Sequence, residues 1–287
     1  MHRLKSLTLA VSFLAFTALP AAADTFFFST GNPDGKIATA SRLASPGNIQ
    51  IETADDFVTT APIALTSATF TGLIPLGVSL SSIQQVEVEI YHVFPVDSTF
   101  PPSGNVPTRV NSPADTEINS ATRDSMVGTL SFTPGIINSN FTAANSVLNG
   151  IHPSPGEFTG GEGAVTGQEV QFNVLFTTPI SLAADHYFFR PEVLLTSGDF
   201  YWLSAPRPIV PPGTDFPLGF TDLQSWIRND NLAPDWLRIG TDITHQGPFN
   251  AAFTLSGETV VPLPASLPLL GTGLAGLALW RRLKRVV

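Results

Sequence analysis

Cysteine is absent from the 287 residues. That excludes a disulfide scaffold, a cysteine-held zinc site and a thiol nucleophile. Charge is scarce as well: Asp, Glu, Lys and Arg make up 13% of the chain, against ~25% in an ordinary globular protein. What charge there is leans acidic, with 23 Asp and Glu against 14 Lys and Arg and a formal net charge of −9. No nucleic-acid partner is expected from such a balance, since binders of DNA or RNA carry a basic face. Disorder is excluded too, because 21 Phe and a hydrophobic fraction of 43% supply a core. Present in quantity are 23 Gly and 25 Pro, turn formers that suit a loop-rich all-β domain better than a helical bundle.

The two ends read as addresses. Arg3 and Lys5 precede an apolar run of 13 residues from Leu7 to Leu19, followed by Pro20-Ala21-Ala22-Ala23. This is the basic, apolar and small-x-small order of a secretory signal peptide. Ala21 and Ala23 fit the two small pockets of signal peptidase, which predicts cleavage after Ala23. Thirteen residues fall short of the ~20 that an uncleaved span would need. At the other end, Val261, Pro262, Leu263, Pro264 and Ala265 lead into an apolar stretch over residues 266–280. As a helix that stretch measures ~22 Å, thin against ~30 Å of hydrocarbon. Arg281, Arg282, Lys284 and Arg285 follow and hold the tail in the cytoplasm by the positive-inside rule.

The tripartite end, Val-Pro-Leu-Pro-Ala, a glycine-interrupted span and an Arg-rich terminus, resembles the PEP-CTERM sorting signal in its VPLPA variant. The resemblance covers residues 261–287. It implies processing near the proline motif by an exosortase, a membrane cysteine transpeptidase, in a Gram-negative bacterium that makes exopolysaccharide. Leu263-Pro264 stands where the commoner form has Glu-Pro. The expected precursor is anchored in the inner membrane with a cytoplasmic C-terminus, and the mature form lies at the cell surface or outside. The expected organisation is a signal peptide over 1–23, one body over 24–260 and the sorting signal, with its transmembrane helix, over 261–287.

Six of the 14 basic residues lie in the two ends and none of the 23 acidic ones does, so the body has 8 against 23 and a net charge of −15. Lys36 is its one lysine. Within the body, residues 86–94 alternate with period 2: Val86, Val88, Ile90 and His92 share one face, and Glu87, Glu89, Tyr91 and Val93 the other. Such alternation marks a half-buried strand. Further strands are predicted over 25–29, 63–74, 127–133, 170–177, 186–195, 200–205, 236–239 and 251–260. Regularly spaced short strands with turn residues between them predict an antiparallel β-sandwich or jelly-roll-like single domain. Residues 95–125 and 206–234 read as long surface excursions, and 140–148 as either a short helix or an irregular strand. Ala54-Asp55-Asp56-Phe57, Tyr187 to Pro191, Trp202 to Pro208, Leu223 to Arg228, Ala233 to Gly240 and Phe249 to Phe253 make the body look like a recurring secreted type found with such tails. That type carries no assigned chemistry.

Candidate chemistry is sparse. His92, His152, His186 and His245 show no metal-pair spacing and read as structural or exposed. A Ser-His-Asp triad has no nucleophile-elbow motif to announce it. Asp55-Asp56 and the Glu87/Glu89 pair read most simply as adjacent solvated carboxylates. The sharper alternative is calcium, which takes several hard oxygen ligands; Asp55, Asp56, Asp235 and Asp242 are its candidate donors, and no other cofactor is implied. Trp202, Trp226 and Trp236 cluster in the last third, where they either pack in the core or stack on sugar rings. Arg228 and Arg238 are expected to pair with Asp230, Asp235 or Asp242. The expected function is therefore an exported, non-catalytic structural or adhesive protein associated with exopolysaccharide, met by signal peptidase and exosortase on its way out. The alternatives are a carbohydrate-binding module, with calcium, and a secreted hydrolase. Burial of the three indoles would remove sugar stacking on them.

Overall fold

Aromatic and β-branched residues alternate with small polar ones through most of the body, and the chain forms strands accordingly. The computed structural model describes residues 24–99, 104–152 and 158–260. The expected signal peptide, cleavage residues, sorting motif and basic anchor lie outside these residues. The strands in chain order are β1 (Thr25–Ser29), β2 (Ile37–Ala40), β3 (Ile51–Thr59), β4 (Ile63–Ile74) and β5 (Ile83–His92). Next come β6 (Arg123–Asp124), β7 (Leu130–Ala143), β8 (Asn145–Val147), β9 (Val165–Leu182) and β10 (Asp185–Leu195). The last are β11 (Tyr201–Ala205), β12 (Trp226–Asn229), β13 (Leu237–Arg238), β14 (Asn250–Ala251) and β15 (Phe253–Thr259). Residues Asp24–Val260 form one compact unit. Among the described residues no helix is long and apolar enough to cross a membrane.

Two sheets face each other. The six-stranded sheet has the order β13-β12-β3-β10-β5-β6. The nine-stranded sheet runs β1-β15-β4-β11-β2-β8, with β9 on β4, β7 on β9 and β14 on β11. Pairing is antiparallel throughout except between β2 and β8. The main core lies between the sheets: Leu65, Phe70, Phe172 and Phe253 from one meet Phe57, Val88, Ile90 and Phe189 from the other. Phe189 stacks on Phe253 at 5.1 Å between ring centroids, and Trp202 closes the cluster with its indole N–H on the Ala252 carbonyl at 2.9 Å. Gly72 of β4 lets this layer close, since a Cβ there would lie 2.3 Å from the Phe200 ring.

The all-β sandwich agrees with the sequence, but several local expectations change. Residues 140–148 are strand, divided between β7 and β8. The excursion over 206–234 contains β12, and the excursion over 95–125 is not a free surface loop. Its described residues around 109–115 fold over the outer side of the six-stranded sheet as a roof, burying Arg109, Ser112 and Ala114, while Val106 and Ala121 join other apolar clusters. Val93 packs beside this roof, in a second apolar cluster of Ala54, Tyr91, Ala114, Phe188, Leu223, Trp226 and Trp236. β5 is thus covered on both faces along its second half rather than half-exposed. Period 2 reports which side chains share a face. Whether a loop later covers the outer one is a tertiary matter.

Candidate functional site

Beneath the roof lies a buried charge network. Arg190 of β10 is 1% exposed and pairs with Glu52 at 3.2 Å, Glu87 at 3.6 Å, and with Glu89 and Glu192. Arg228 of β12 pairs with Glu52, donates to the Asp115 carbonyl at 2.9 Å and lies 4.3 Å from the centroid of the Trp236 ring. The Tyr91 hydroxyl donates to Glu89 at 2.7 Å. Burial pushes the Glu192 carboxyl up to about 8, against the pull of Arg190. It pushes Glu87 up to about 7. Arg109 pins the roof itself through Asp115 and Asp235, each at 2.8 Å. Arg190, Arg228, Glu52, Glu89, Glu192 and Tyr91 are buried, Glu87 and Asp115 half-buried, and their chemistry is structural.

A second polar cluster gathers residues far apart in sequence. Adjacent positions on a strand point to opposite faces, so Asp55 and Asp56 of β3 diverge. Asp55 faces inward and accepts from the Ser225 hydroxyl at 3.0 Å and the Ala251 amide at 2.8 Å. Asp56 faces outward, and its Oδ2 accepts from the Leu223 amide at 3.0 Å and meets His186 Nε2 at 2.6 Å. The expectation of solvated carboxylates is corrected here: Asp55 is 0% and Asp56 1% exposed. Asp222 joins them through Asn250, whose Nδ2 donates to Asp222 Oδ2 at 3.3 Å. Arg207 donates to the Asp222 carbonyl. Burial, then repulsion from Asp56 and Asp222, raises the Asp55 carboxyl well above its usual range. Burial raises Asp56 despite His186, and burial with Asp56 nearby pushes Asp222 up to about 6. Three buried oxygens here, Asp56 Oδ1, Asp222 Oδ1 and Asn250 Oδ1, have no hydrogen-bond partner. Leaving a buried acceptor unpaired costs ~1–3 kcal/mol. A cleft of about 290 Å³ opens alongside, lined among others by Arg207, Arg238 and the two chain neighbours of Asp222, Thr221 and Leu223.

The candidate calcium donors do not come together as a set. Asp235 is engaged by Arg109 and Asp242 by Arg238 at 2.6 Å, both away from the Asp55–Asp56 hydrogen bonds. Among the described residues no three His, Cys, Asp or Glu side chains converge as metal ligands. The expected Arg238–Asp242 pair is present, whereas Arg228 turns to Glu52 instead of Asp230, Asp235 or Asp242. Sugar stacking on the three indoles is also corrected. Trp202 is 0%, Trp226 1% and Trp236 0% exposed, Trp202 in the main core and the other two under the roof. Two His–Asp pairs exist, His186–Asp56 and His92–Asp97 at 2.6 Å, and among the described residues no serine hydroxyl bonds to either imidazole.

The outer face of the nine-stranded sheet is the opposite case. Register aligns Ser29, Thr254, Thr69, Asn173 and Thr133 in one row across five strands. Phe27, Ser256, Ser67, Leu175 and Ser131 form the next, and Thr71, Gln171 and Gly135 a shorter third. No charged residue stands on these rows. Phe27 is 56% and Leu175 62% exposed, and the Thr69 and Thr254 hydroxyls bond at 2.7 Å. A depression of about 210 Å³ indents the surface, lined by Phe27, Thr69, Thr71, Gln171 and Thr254 with Asn32 and Pro212 at its rim. The alternation of small polar residues in β4, β9 and β15 is visible in the sequence, but their alignment depends on pairing partners over 180 residues apart. Compared with protein-family models, with curated proteins and with solved structures, the chain matches none.

Proposed function

We propose that the protein is an exported, non-catalytic adhesive component of the cell surface or matrix, and that the outer face of its nine-stranded sheet binds neutral polysaccharide. The observation that carries the reading is the set of three uncharged rows on a body whose net charge is −15. Five strands at ~4.8 Å spacing give a flat span of ~19 Å. Serine, threonine, asparagine and glutamine side chains there exchange hydrogen bonds with sugar hydroxyls as readily as with water, so binding strands no buried polar group. Phe27 and Leu175 offer apolar contact to the C–H faces of sugar rings. A neutral glycan also avoids the repulsion that an acidic body exerts on anionic polymers.

Export by signal peptide and sorting by an exosortase through residues 261–287 complete the proposal. They are tested by locating the protein and its C-terminus in cells with and without exopolysaccharide synthesis. The binding surface is tested by co-sedimentation of the purified protein with insoluble neutral polysaccharide. Binding is expected, and Phe27→Ala with Asn173→Asp should weaken it about tenfold, equivalent to ~1.4 kcal/mol. Equal binding by that variant, or release of reducing sugar by the wild type, would overturn the reading.

A further inference from the structure

Independently of that surface, the buried cluster on the six-stranded sheet has the makings of a cation site. We propose that Asp56, Asp222 and Asn250 hold a calcium ion through their Oδ1 atoms. Asp56 and Asn250 are each 1% exposed, and each leaves one side-chain oxygen without a hydrogen-bond partner. Asp222 Oδ1 is in the same condition. Hydrogen bonds tie the three together: the Leu223 amide, next in chain to Asp222, donates to Asp56 at 3.0 Å, and the Asn250 Nδ2 donates to Asp222 Oδ2 at 3.3 Å.

The cationic groups nearby occupy other atoms. His186 takes Asp56 Oδ2. Arg207 donates to the Asp222 carbonyl, and its Nε stands 3.7 Å from Asp222 Oδ2. Asp55 adds a third carboxyl, itself buried, close to Asp56 and Asp222. The ligand chemistry is all oxygen, two carboxylates and an amide, and a calcium shell of six to eight is completed by water and main-chain carbonyls. Calcium tolerates such an irregular set better than magnesium, which demands a near-ideal octahedron. Thr221 and Leu223, on either side of Asp222 in the chain, line a cleft. Asp235 and Asp242 take no part.

The test is calorimetric and thermal titration of the purified full-length protein with calcium chloride. Saturable heat and a rise in Tm of about 5 °C are expected at a hundredfold excess over Kd. Asp222→Asn should abolish both, and Glu258→Gln, an exposed acid on the other sheet, should abolish neither. Absence of heat and of any Tm shift in the wild type overturns the proposal. So does an undiminished response in Asp222→Asn, which would put the ion elsewhere. If that variant does not fold, hydrogen exchange of the wild type reads the same site. Calcium should slow the Leu223 and Ala251 amides, and unchanged exchange there alongside measurable heat also overturns it. Failure of this site leaves the polysaccharide-binding face untouched, because the two share no residue.

Discussion

The two outer faces of this sandwich are built from similar alternating strands and end in opposite states. On the six-stranded sheet the outward positions are Glu52, Asp56, Glu87, Glu89, Tyr91, Arg190 and Arg228, and a roof of loops buries all of them but Glu87, which is half-buried. On the nine-stranded sheet they are Ser, Thr, Asn and Gln with Phe27 and Leu175, and most of them, Ser29 and Thr71 excepted, stay in contact with solvent. The difference is instructive because it inverts the usual expectation that charge faces water. Charges persist under the roof because each is paired or hydrogen-bonded, and burial makes those partners obligatory. An exposed sheet face needs no such pairing, and without charge it presents hydroxyls and amides that any neutral polar polymer can meet.

The largest way to break the comparison is to strip a charge from the covered face. Arg190→Met leaves Glu52, Glu89 and Glu192 facing one another in a dry space. It should cost ~3–5 kcal/mol in urea unfolding. Trp236→Ala removes a ring that stacks edge-on against Tyr91 at 5.6 Å and donates to the Ala114 carbonyl at 3.0 Å. A loss of ~3 kcal/mol is expected, with faster proteolysis inside the roof.

A gentler probe is pH. The Glu192 carboxyl, near 8 in the folded protein, and Glu87, near 7, lie above their unfolded values near 4.5. A raised carboxyl stabilises fully below the unfolded value, and that contribution is lost as pH rises through the folded one. Tm should therefore fall as pH rises from about 4.5 to about 8. Glu192→Gln, which keeps the shape of the protonated acid, should flatten part of that fall while leaving Tm below about pH 4.5, where the acid is protonated in both states, nearly unchanged. The smallest effect belongs to the open face. Thr69→Glu should shift stability by no more than ~0.5 kcal/mol yet weaken co-sedimentation with neutral polysaccharide, so that function and stability separate there and not under the roof.

Much of the framework was legible in the residues. β1 and β4 match their expected bounds, and β5, β10, β11 and β15 fall within a few residues of theirs, because their hydrophobic alternation is strong and turn formers bracket them. β2, β3 and β12 were not legible: β2 and β12 are short and tertiary pairing makes them strands, while β3 carries the acids Glu52, Asp55 and Asp56 that read as polar loop. β8 lies within 140–148, where an irregular strand was one of two readings. Asp55 and Asp56 were misread for a different reason. Adjacent acids usually mark a wet loop, and only the long-range amides of Leu223 and Ala251 permit them inside a strand. The polar rows escaped notice because single threonines look unremarkable until five strands align them.

Composition and periodicity by themselves determined an acidic, cysteine-free, all-β body, since period and turn content are local properties. Tertiary structure decided which outer face is covered, which indoles are hidden and which oxygens are left without partners. Those outcomes depend on where residues 104–121 and 222–251 come to rest against strands far away in sequence, and no local pattern encodes that distance.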